Sequence, residues 1–497
     1  MTINNPAAMA PKPSEDLELQ KTPSKDLDIE VDNGVAELHL DEAIVRSLRR
    51  KADFILIPVL AIGYLMNSLD RSNLANANTA GLEDDLKMAG RQYNDVLTFY
   101  QIPFVVFGPV IAMLTRIIGA KYTISGMLFV FGVASLATGW VKEYHHLIVC
   151  RVFVGTFESG FLGSVIYYLS IWYTRKELAS RIGIFYAALT ASSAFGGLLA
   201  YGMFQVTPSS GYFRWSYLFF LEGGMTVFWS IICFFVLPVD TQSAWFLNPT
   251  EKEVAVLRLE HDSVQSLSTE FSWRESLSEF TTPHGYIRVV LSFVMGVILT
   301  SNANFLAMVV RRLGHGVVKT QLYTVAPALT GAVLLFLWCK SSDHFLERGL
   351  HSAFSDVVSL VGYLLLFTVS TDNLAVLYFA MFLCTIGAYP STPISATWTV
   401  ANIPNLNARA LTSGMFVAFG NCGGFLSSNI YLKWEAPRYS TALKTNIGMC
   451  AISISATTAY AMWMRWENRR RDRLYGKPSG STEGITSSRD PQFRFQA

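Results

Sequence analysis

Long apolar runs, each closed by polar or charged residues, recur along the chain from Phe54 onward. A helix needs roughly 20 apolar residues to cross ~30 Å of hydrocarbon. Windows of that length fall at 54–76, 94–115, 121–141, 147–172, 182–205, 215–237, 286–308, 320–340, 352–370, 374–398, 409–431 and 441–464, which predicts twelve transmembrane helices in an all-α membrane protein. Six precede and six follow a polar segment, 239–285, that carries Glu251, Lys252, Glu253, Arg258, Glu260, His261, Asp262, Arg274 and Glu275. That segment is too charged for lipid and suits short amphipathic helices on the membrane face. The expected layout is a disordered tail over 1–45, a six-helix bundle over 46–238, the connecting loop over 239–285, a second six-helix bundle over 286–465, and a disordered tail over 466–497. The first tail, with Pro11, Pro13, Glu15, Asp16, Lys21, Pro23 and Lys25, offers too little apolar surface to fold.

Composition agrees with lipid as the solvent. Hydrophobic residues make up 51% and charged residues 15% of the 497 positions, and mean hydropathy is +0.32. Soluble proteins carry about 25% charge. A net charge of +2 gives no reason to expect nucleic acid as a partner. The six cysteines, Cys150, Cys233, Cys339, Cys384, Cys422 and Cys450, lie in or beside apolar runs with no CxxC or histidine cluster. They read as packing residues, with neither a metal site nor a disulfide framework expected. The first fifty residues lack a signal peptide's apolar core, so the run from Phe54 is expected to act as the targeting signal. No Asn-x-Ser/Thr sequon marks an external loop.

Lysine and arginine bias sets the orientation. Arg46, Arg49, Arg50 and Lys51 precede the first span, and Arg465, Arg469, Arg470, Arg471 and Arg473 follow the last. Arg116 with Lys121, Arg175 with Lys176 and Arg181, and Lys340 with Arg348 fall on the same side. Both termini are therefore predicted to be cytoplasmic, against the minority of Arg311, Arg312 and Lys319.

Ionisable residues inside spans are costly, at least ~2.5–3.5 kcal/mol at the membrane centre, and so face protein or a water-filled cavity. The first span holds Asp70-Arg71-Ser72-Asn73, with Asp70 about 24 Å along the axis at ~1.5 Å per residue. A proton acceptor beside a guanidinium suits a coupled carrier: protonating Asp70 would free Arg71 to hold a substrate carboxylate with bidentate geometry. The competing reading is an ion pair that only closes the outer end of that helix. The fourth span holds Arg151 and Glu158 on one helix face, Glu158 deeper and flanked by Gly155, Ser159, Gly160 and Gly163. Burial there favours the neutral acid, which fits Glu158 to bind and release a proton. Arg151 is expected to pair with Glu158 or with substrate, or else the two form a structural pair. Gln101, Asn302, Asn304 and Asn421, with Asn73, are candidate hydrogen-bonding ligands, and Gln205, Gln321 and Asn429 lie in apolar spans likewise, although such residues also tie helices together. Arg116, Lys121 and Asp343 fall in short connections, Arg116-Ile-Ile-Gly119-Ala-Lys121 and Ser341-Ser342-Asp343-His344, where they are expected to gate the cytoplasmic side. No GK[ST] follows any glycine cluster, so ATP-driven pumping is not expected. No nucleophile–base or metal-ligand set suggests an enzyme.

With these residues in view, the chain resembles the anion:cation symporter branch of the major facilitator superfamily. More narrowly it is similar to the fungal allantoate, nicotinate and pantothenate permease group. The matching stretches are Asp70-Arg-Ser-Asn-Leu-Ala-Asn-Ala77, Ala80-Gly-Leu-Glu-Asp-Asp-Leu86, Gln92-Tyr-Asn94, Gln101-Ile-Pro103, Cys150-Arg-Val-Phe-Val-Gly-Thr-Phe-Glu-Ser-Gly160, Ile171-Trp-Tyr173, Ala194-Phe-Gly-Gly-Leu-Leu-Ala-Tyr-Gly202 and Glu435-Ala-Pro-Arg-Tyr439. The resemblance runs from about Asp41 to the last span. It implies two bundles rocking around a midplane site, no cofactor, a proton gradient as driving force, and roles for Asp70, Arg71, Arg151 and Glu158 in proton coupling and carboxylate recognition. The expectation is a monomeric, multi-pass carrier in the plasma membrane or an organelle such as the vacuole, moving a small organic anion with protons. Efflux of a fungal secondary metabolite is the alternative, since the second half matches less well. A non-transporting solute sensor is a third reading, which the short tails of about 40 and 30 residues disfavour.

Overall fold

The computed structural model describes residues 27–32, 35–88, 92–174, 177–206, 211–262, 272–311, 317–370, 372–431, 435, 438–477 and 487–497, with side chains in 27–40, 259–262, 303–311, 317–324 and at 72, 75, 79, 94, 190, 191, 193–195, 197, 198, 201 and 428 left out of account. Twelve long helices follow one another among the described residues. In the first half they are α1 (Glu42–Thr79), α2 (Gln92–Ile118), α3 (Ala120–Thr138), α4 (Tyr144–Glu158, continued after a two-residue break by Phe161–Ser170), α5 (Leu178–Met203) and α6 (Ser216–Val236). The second half contains α7 (Pro283–Arg311), α8 (Val317–Phe345), α9 (Gly349–Thr368), α10 (Leu374–Ala401), α11 (Leu406–Ile430) and α12 (Ser440–Tyr475).

Ten of these are long and apolar enough to cross a membrane among the described residues. Of the others, α5 is apolar over its described stretch Leu178–Leu189, and α11 packs against helices of both halves and carries Asn407, Arg409 and Asn421 along its length. Elsewhere the outward faces are apolar: Phe228 and Phe235 on α6, Val333 on α8, Phe379 on α10 and Ile452 on α12 are exposed. A continuous apolar exterior of this kind is stable in hydrocarbon and aggregates in water.

The two halves repeat one packing scheme. In the first, α1 packs on α5 and α6, α2 on α4, and α3 on α4 and α6; in the second, α7 packs on α11 and α12, α8 on α10, and α9 on α10 and α12. Between halves α2 packs on α11 and α5 on α8, which exchange under the same relation, as do α4 with α11 and α10 with α5. Small residues permit the closest crossing: a Cβ added to Gly163 of α4 would lie 3.1 Å from the Gly414 Cα of α11, and one added to Gly414 would lie 2.8 Å from the Pro109 Cα of α2.

Three expectations change. The stretch before α1 contains an antiparallel hairpin, Leu27–Asp32 with Val35–Leu40, where an unstructured tail was expected. The alternation of Leu27, Ile29 and Val31 with acidic residues supplies its strand period, and Asn33-Gly34 between the strands is a favoured hairpin-turn dipeptide. α1 begins at Glu42 and α12 runs to Tyr475, both beyond the apolar windows. Residues 487–497 are folded rather than disordered. Phe493 and Phe495 are buried, and the Arg471 guanidinium donates to the carbonyls of Ser488, Asp490 and Phe493. The Trp398 indole donates to the Gln496 carbonyl at 2.6 Å.

The connecting segment forms the expected short helix, Pro249–Asp262, and it docks on the polar start of α1. Lys51 Nζ lies 2.8 Å from Glu251 Oε1 and Oε2, the Ser47 hydroxyl donates to Oε1 at 2.8 Å, and the Asn248 N–H donates to Oε2 at 2.8 Å. Burial alone would push the Glu251 carboxyl up, but these donors outweigh it and hold it below the usual carboxylate range. The contact therefore stabilises the fold at pH values above the ordinary glutamate value of ~4.3 and is lost as pH falls through the lowered folded value. Replacing Glu251→Gln is expected to lower thermal stability at neutral pH by about 1 kcal/mol or less. Melting curves of the purified variant and the parent should converge on strong acidification.

Candidate functional site

A cavity of about 220 Å³ lies between the halves and is walled by both. From the first half come Tyr64, Asn67 and Arg71 of α1, Phe104 of α2, Glu158, Ser159 and Leu162 of α4, and Tyr186 and Leu189 of α5. From the second come Ser292, Gly296, Leu299 and Thr300 of α7, Tyr389 and Thr392 of α10, and Phe416, Val417, Gly420 and Asn421 of α11. Arg71 and Glu158 are the charged members of this lining.

Adjacent residues on a helix point about 100° apart, given ~3.6 residues per turn, so Asp70 and Arg71 face different ways. Arg71 turns to the cavity. Its Nη2 and Nε lie 3.2 and 3.3 Å from Glu158 Oε1, and its guanidinium stacks over the Phe104 ring at 4.9 Å. The Arg71 side chain retains 38% exposure while that of Glu158 is fully buried. Asp70 turns the other way, into the first half. It accepts a hydrogen bond from Ser135 of α3 and lies 3.9 Å from Arg151 Nη1. Arg151, buried, lies over the Phe219 ring of α6 at 5.4 Å. The acid–base pairs thus cross between helices instead of forming within each. A seven-residue separation along α4 is ~10.5 Å at 1.5 Å per residue, and Arg151 turns to Asp70 of α1 instead of Glu158.

The remaining predicted ligands divide. Asn421 lines the cavity, with its Nδ2 donating to the Val417 carbonyl at 2.9 Å. Gln101 of α2 reaches the Asn421 carbonyl at 3.5 Å, joining the halves. Asn73 and Asn302 are buried away from the lining, on Glu222 at 2.5 Å and Thr385 at 3.3 Å respectively. The Asn304 side chain, with that of Gln321, lies outside the described residues. Tyr64, Tyr186, Tyr389 and Thr392 went unnoticed in the sequence, because an aromatic or threonine on an apolar helix carries no signal of the face it occupies. Pro390 and Pro393, which flank Thr392 in α10, were the available hint, since prolines inside spans are tolerated where neighbouring groups re-satisfy the backbone.

Asp343 at the end of α8 reaches across to the first turn of α5. Its Oδ1 and Oδ2 accept from the N–H groups of Ala179 (3.1 Å) and Ser180 (2.7 Å), and Arg348 Nη2 holds Oδ1 at 2.6 Å. A carboxylate at a helix N-terminus satisfies free N–H groups and meets the positive end of the dipole. Arg116 Nε donates to Asn407 Oδ1 at 3.2 Å, also across the halves. Lys121 makes its described contact within the first half, over the Phe234 ring at 5.1 Å. These contacts lie at the end that carries both termini, where Glu177 joins Arg49 and Arg258 at 3.2 Å each. That end is closed.

Two helical halves of one packing scheme, a cavity between them and a closed contact at one end define a membrane transporter. The profile of the Major Facilitator Superfamily matches residues 60–428, and the chain belongs to that superfamily. Relatives include the MFS-type transporter efuF of Hormonema carpetanum, 38% identical over 90% of this chain and 90% of that one. The major facilitator-type transporter hxnP of Emericella nidulans is 36% identical, over 92% and 94%. The high-affinity nicotinic acid transporter of Saccharomyces cerevisiae is 28% identical, over 90% and 84%. Among solved structures, the proton:xylose symporter XylE superposes with a TM-score of 0.61 at 13% identity, covering 82% of this chain and 95% of that one. The human organic anion transporter MFSD10 gives 0.58 at 13%, over 82% and 99%. These structures bear on the fold alone. The protein is a multi-pass membrane transporter and not an enzyme.

Removing the Asp343 carboxylate is expected to weaken closure at the terminal end. Asp343→Ala should cost about 1 kcal/mol of the closed state, read as a longer or broader spin-label distance between α5 and α8 at that end.

Proposed function

We propose that the protein moves a small organic anion together with protons, with Arg71 as the anion's anchor and Glu158 as the proton acceptor. The observation that carries this reading is the Arg71–Glu158 pair on the cavity wall, where a partly exposed guanidinium is neutralised by a buried carboxylate. An incoming carboxylate competes with Glu158 for the same donors. Once displaced, Glu158 would be an unpaired charge among apolar groups, and taking up a proton removes that cost. The bound state then holds Arg71 with the substrate carboxylate and a neutral Glu158, so anion and proton enter as a set. Release of one promotes release of the other.

A monocarboxylate that enters with one proton crosses as a neutral load and is driven by the pH gradient. A second proton would add about 2.3 kcal/mol per 100 mV of membrane potential. Phe104 beside Arg71, with Tyr64, Tyr186 and Tyr389 in the lining, suits a flat aromatic or short-chain acid. The 28% identical relative named as a nicotinic acid transporter gives the first probe. The dense lysine and arginine content around α1, α12 and the connecting segment supports a cytoplasmic placement of the terminal end, and we propose that the carrier acts as a monomer in the plasma membrane.

Labelled nicotinate and other monocarboxylates in proteoliposomes test the reading. Glu158→Gln is expected to abolish pH-driven accumulation while keeping counterflow exchange. Arg71→Gln removes a charge-assisted contact worth ~1.5–3 kcal/mol and should raise KM about 10- to 100-fold. Undiminished pH-driven accumulation in Glu158→Gln would overturn the proton role.

A further inference from the structure

The buried charges of the first half do not balance. Three acids, Asp70, Glu158 and Glu222, share two arginines, Arg71 and Arg151, and the salt bridges commit one arginine to Glu158 and the other to Asp70. Glu222 of α6 is left over. Among the described residues no cation lies within ion-pair distance of it, although its side chain is buried.

Its partner is Asn73 of α1, itself buried, whose Nδ2 donates to Glu222 Oε2 at 2.5 Å. Two oxygens of this couple, Glu222 Oε1 and Asn73 Oδ1, are buried without a hydrogen-bond partner. Neither can satisfy the other while the carboxylate is ionised, because both only accept. A single proton on Oε1 settles both at once. The acid then donates O–H to Asn73 Oδ1 while the amide donates N–H to Oε2, a closed ring of two hydrogen bonds between side chains on different helices. The groups that face this couple are Asp70 on α1, Ser135 on α3 and Arg151 on α4. Ser135 donates to Asp70, and Arg151 is held by Asp70 and by the ring of Phe219, one turn before Glu222. Arg151 makes no ion pair with Glu222 among the described residues, and its own Nε and Nη2 are buried without a hydrogen-bond partner.

We propose that Glu222 carries a fixed proton, kept throughout the transport cycle, which clasps α1 to α6 through Asn73 and leaves Asp70 and Glu158 each matched to one arginine. Both helices belong to the same half, so rocking of one half on the other leaves the clasp closed. The protons that travel with solute, on the reading proposed above, bind elsewhere.

Infrared spectra of the carrier in lipid, in water and in deuterium oxide, test this directly. A protonated-carboxyl C=O component should be present at neutral pH, be lost in Glu222→Gln and survive in Glu158→Gln, with any component from the buried Asp356 of α9 common to all three. Glu222→Gln keeps both hydrogen bonds through its amide and should melt as the parent does, whereas Glu222→Ala and Asn73→Ala should melt lower. The pH profile of uptake in Glu222→Gln should superimpose on that of the parent. A spectrum in which Glu222→Gln removes no such band overturns the proposal, as does a shifted pH profile in that variant, which would make Glu222 a coupling site. Loss of the band with no proton-coupled uptake by the parent would instead sink the coupling reading and leave the clasp standing.

Discussion

Hydrocarbon tolerates a charge only when another charge or a cavity answers it, and the first half of this transporter is organised by that requirement. Two acids and two arginines on α1 and α4 arrive in the sequence as neighbours, yet each finds its partner on the other helix. The crossing follows from helix geometry. Asp70 and Arg71 point about 100° apart on α1, and Arg151 and Glu158 lie about two turns apart along α4, each turned to a different residue of α1. One crossed pair, Arg71 with Glu158, opens on the cavity, and the other, Asp70 with Arg151, is sealed among α3, α4 and α6. The same four residues therefore divide into a group that can meet solute and a group that holds helices in place.

This division gives the halves their mechanical character. Packing within each half repeats the same helix pairs, and the halves meet through α2 and α4 on α11, α5 on α8 and α10, and polar contacts that include the carboxylate of Asp343 on the first turn of α5. A body held together by buried polar pairs and joined to its twin by a glycine crossing and a cap is suited to rocking. The second half has its own buried acid, Asp356, held by the Ser453 hydroxyl at 2.6 Å, with no arginine paired to it among the described residues. Charge capable of exchange with solute is concentrated on one side of the cavity.

Much of this was legible in the sequence. Apolar period and length located the helices, α5 and α11 included, because lipid imposes the same rule on every span. The charged residues Asp70, Arg71, Arg151 and Glu158 stood out because charge inside a span is rare. Their pairing did not, since it depends on rotation and depth of two helices that are far apart in the chain. Glu222 was passed over although it is as anomalous as the others, sitting in Leu221-Glu-Gly-Gly224 within an apolar run. The folded segment 487–497 was also hidden, because its burial rests on two phenylalanines and one arginine fan, a signal too sparse to separate from a polar tail.

Proton uptake on ligand binding is the most direct measurement of the central claim that solute displaces Glu158 from Arg71. Purified carrier in weakly buffered detergent, with a pH-indicator dye, should alkalinise the medium when a bound monocarboxylate is added, and Glu158→Gln should bind the same ligand without doing so. Binding by the parent with no proton uptake, or equal uptake by the variant, would contradict it.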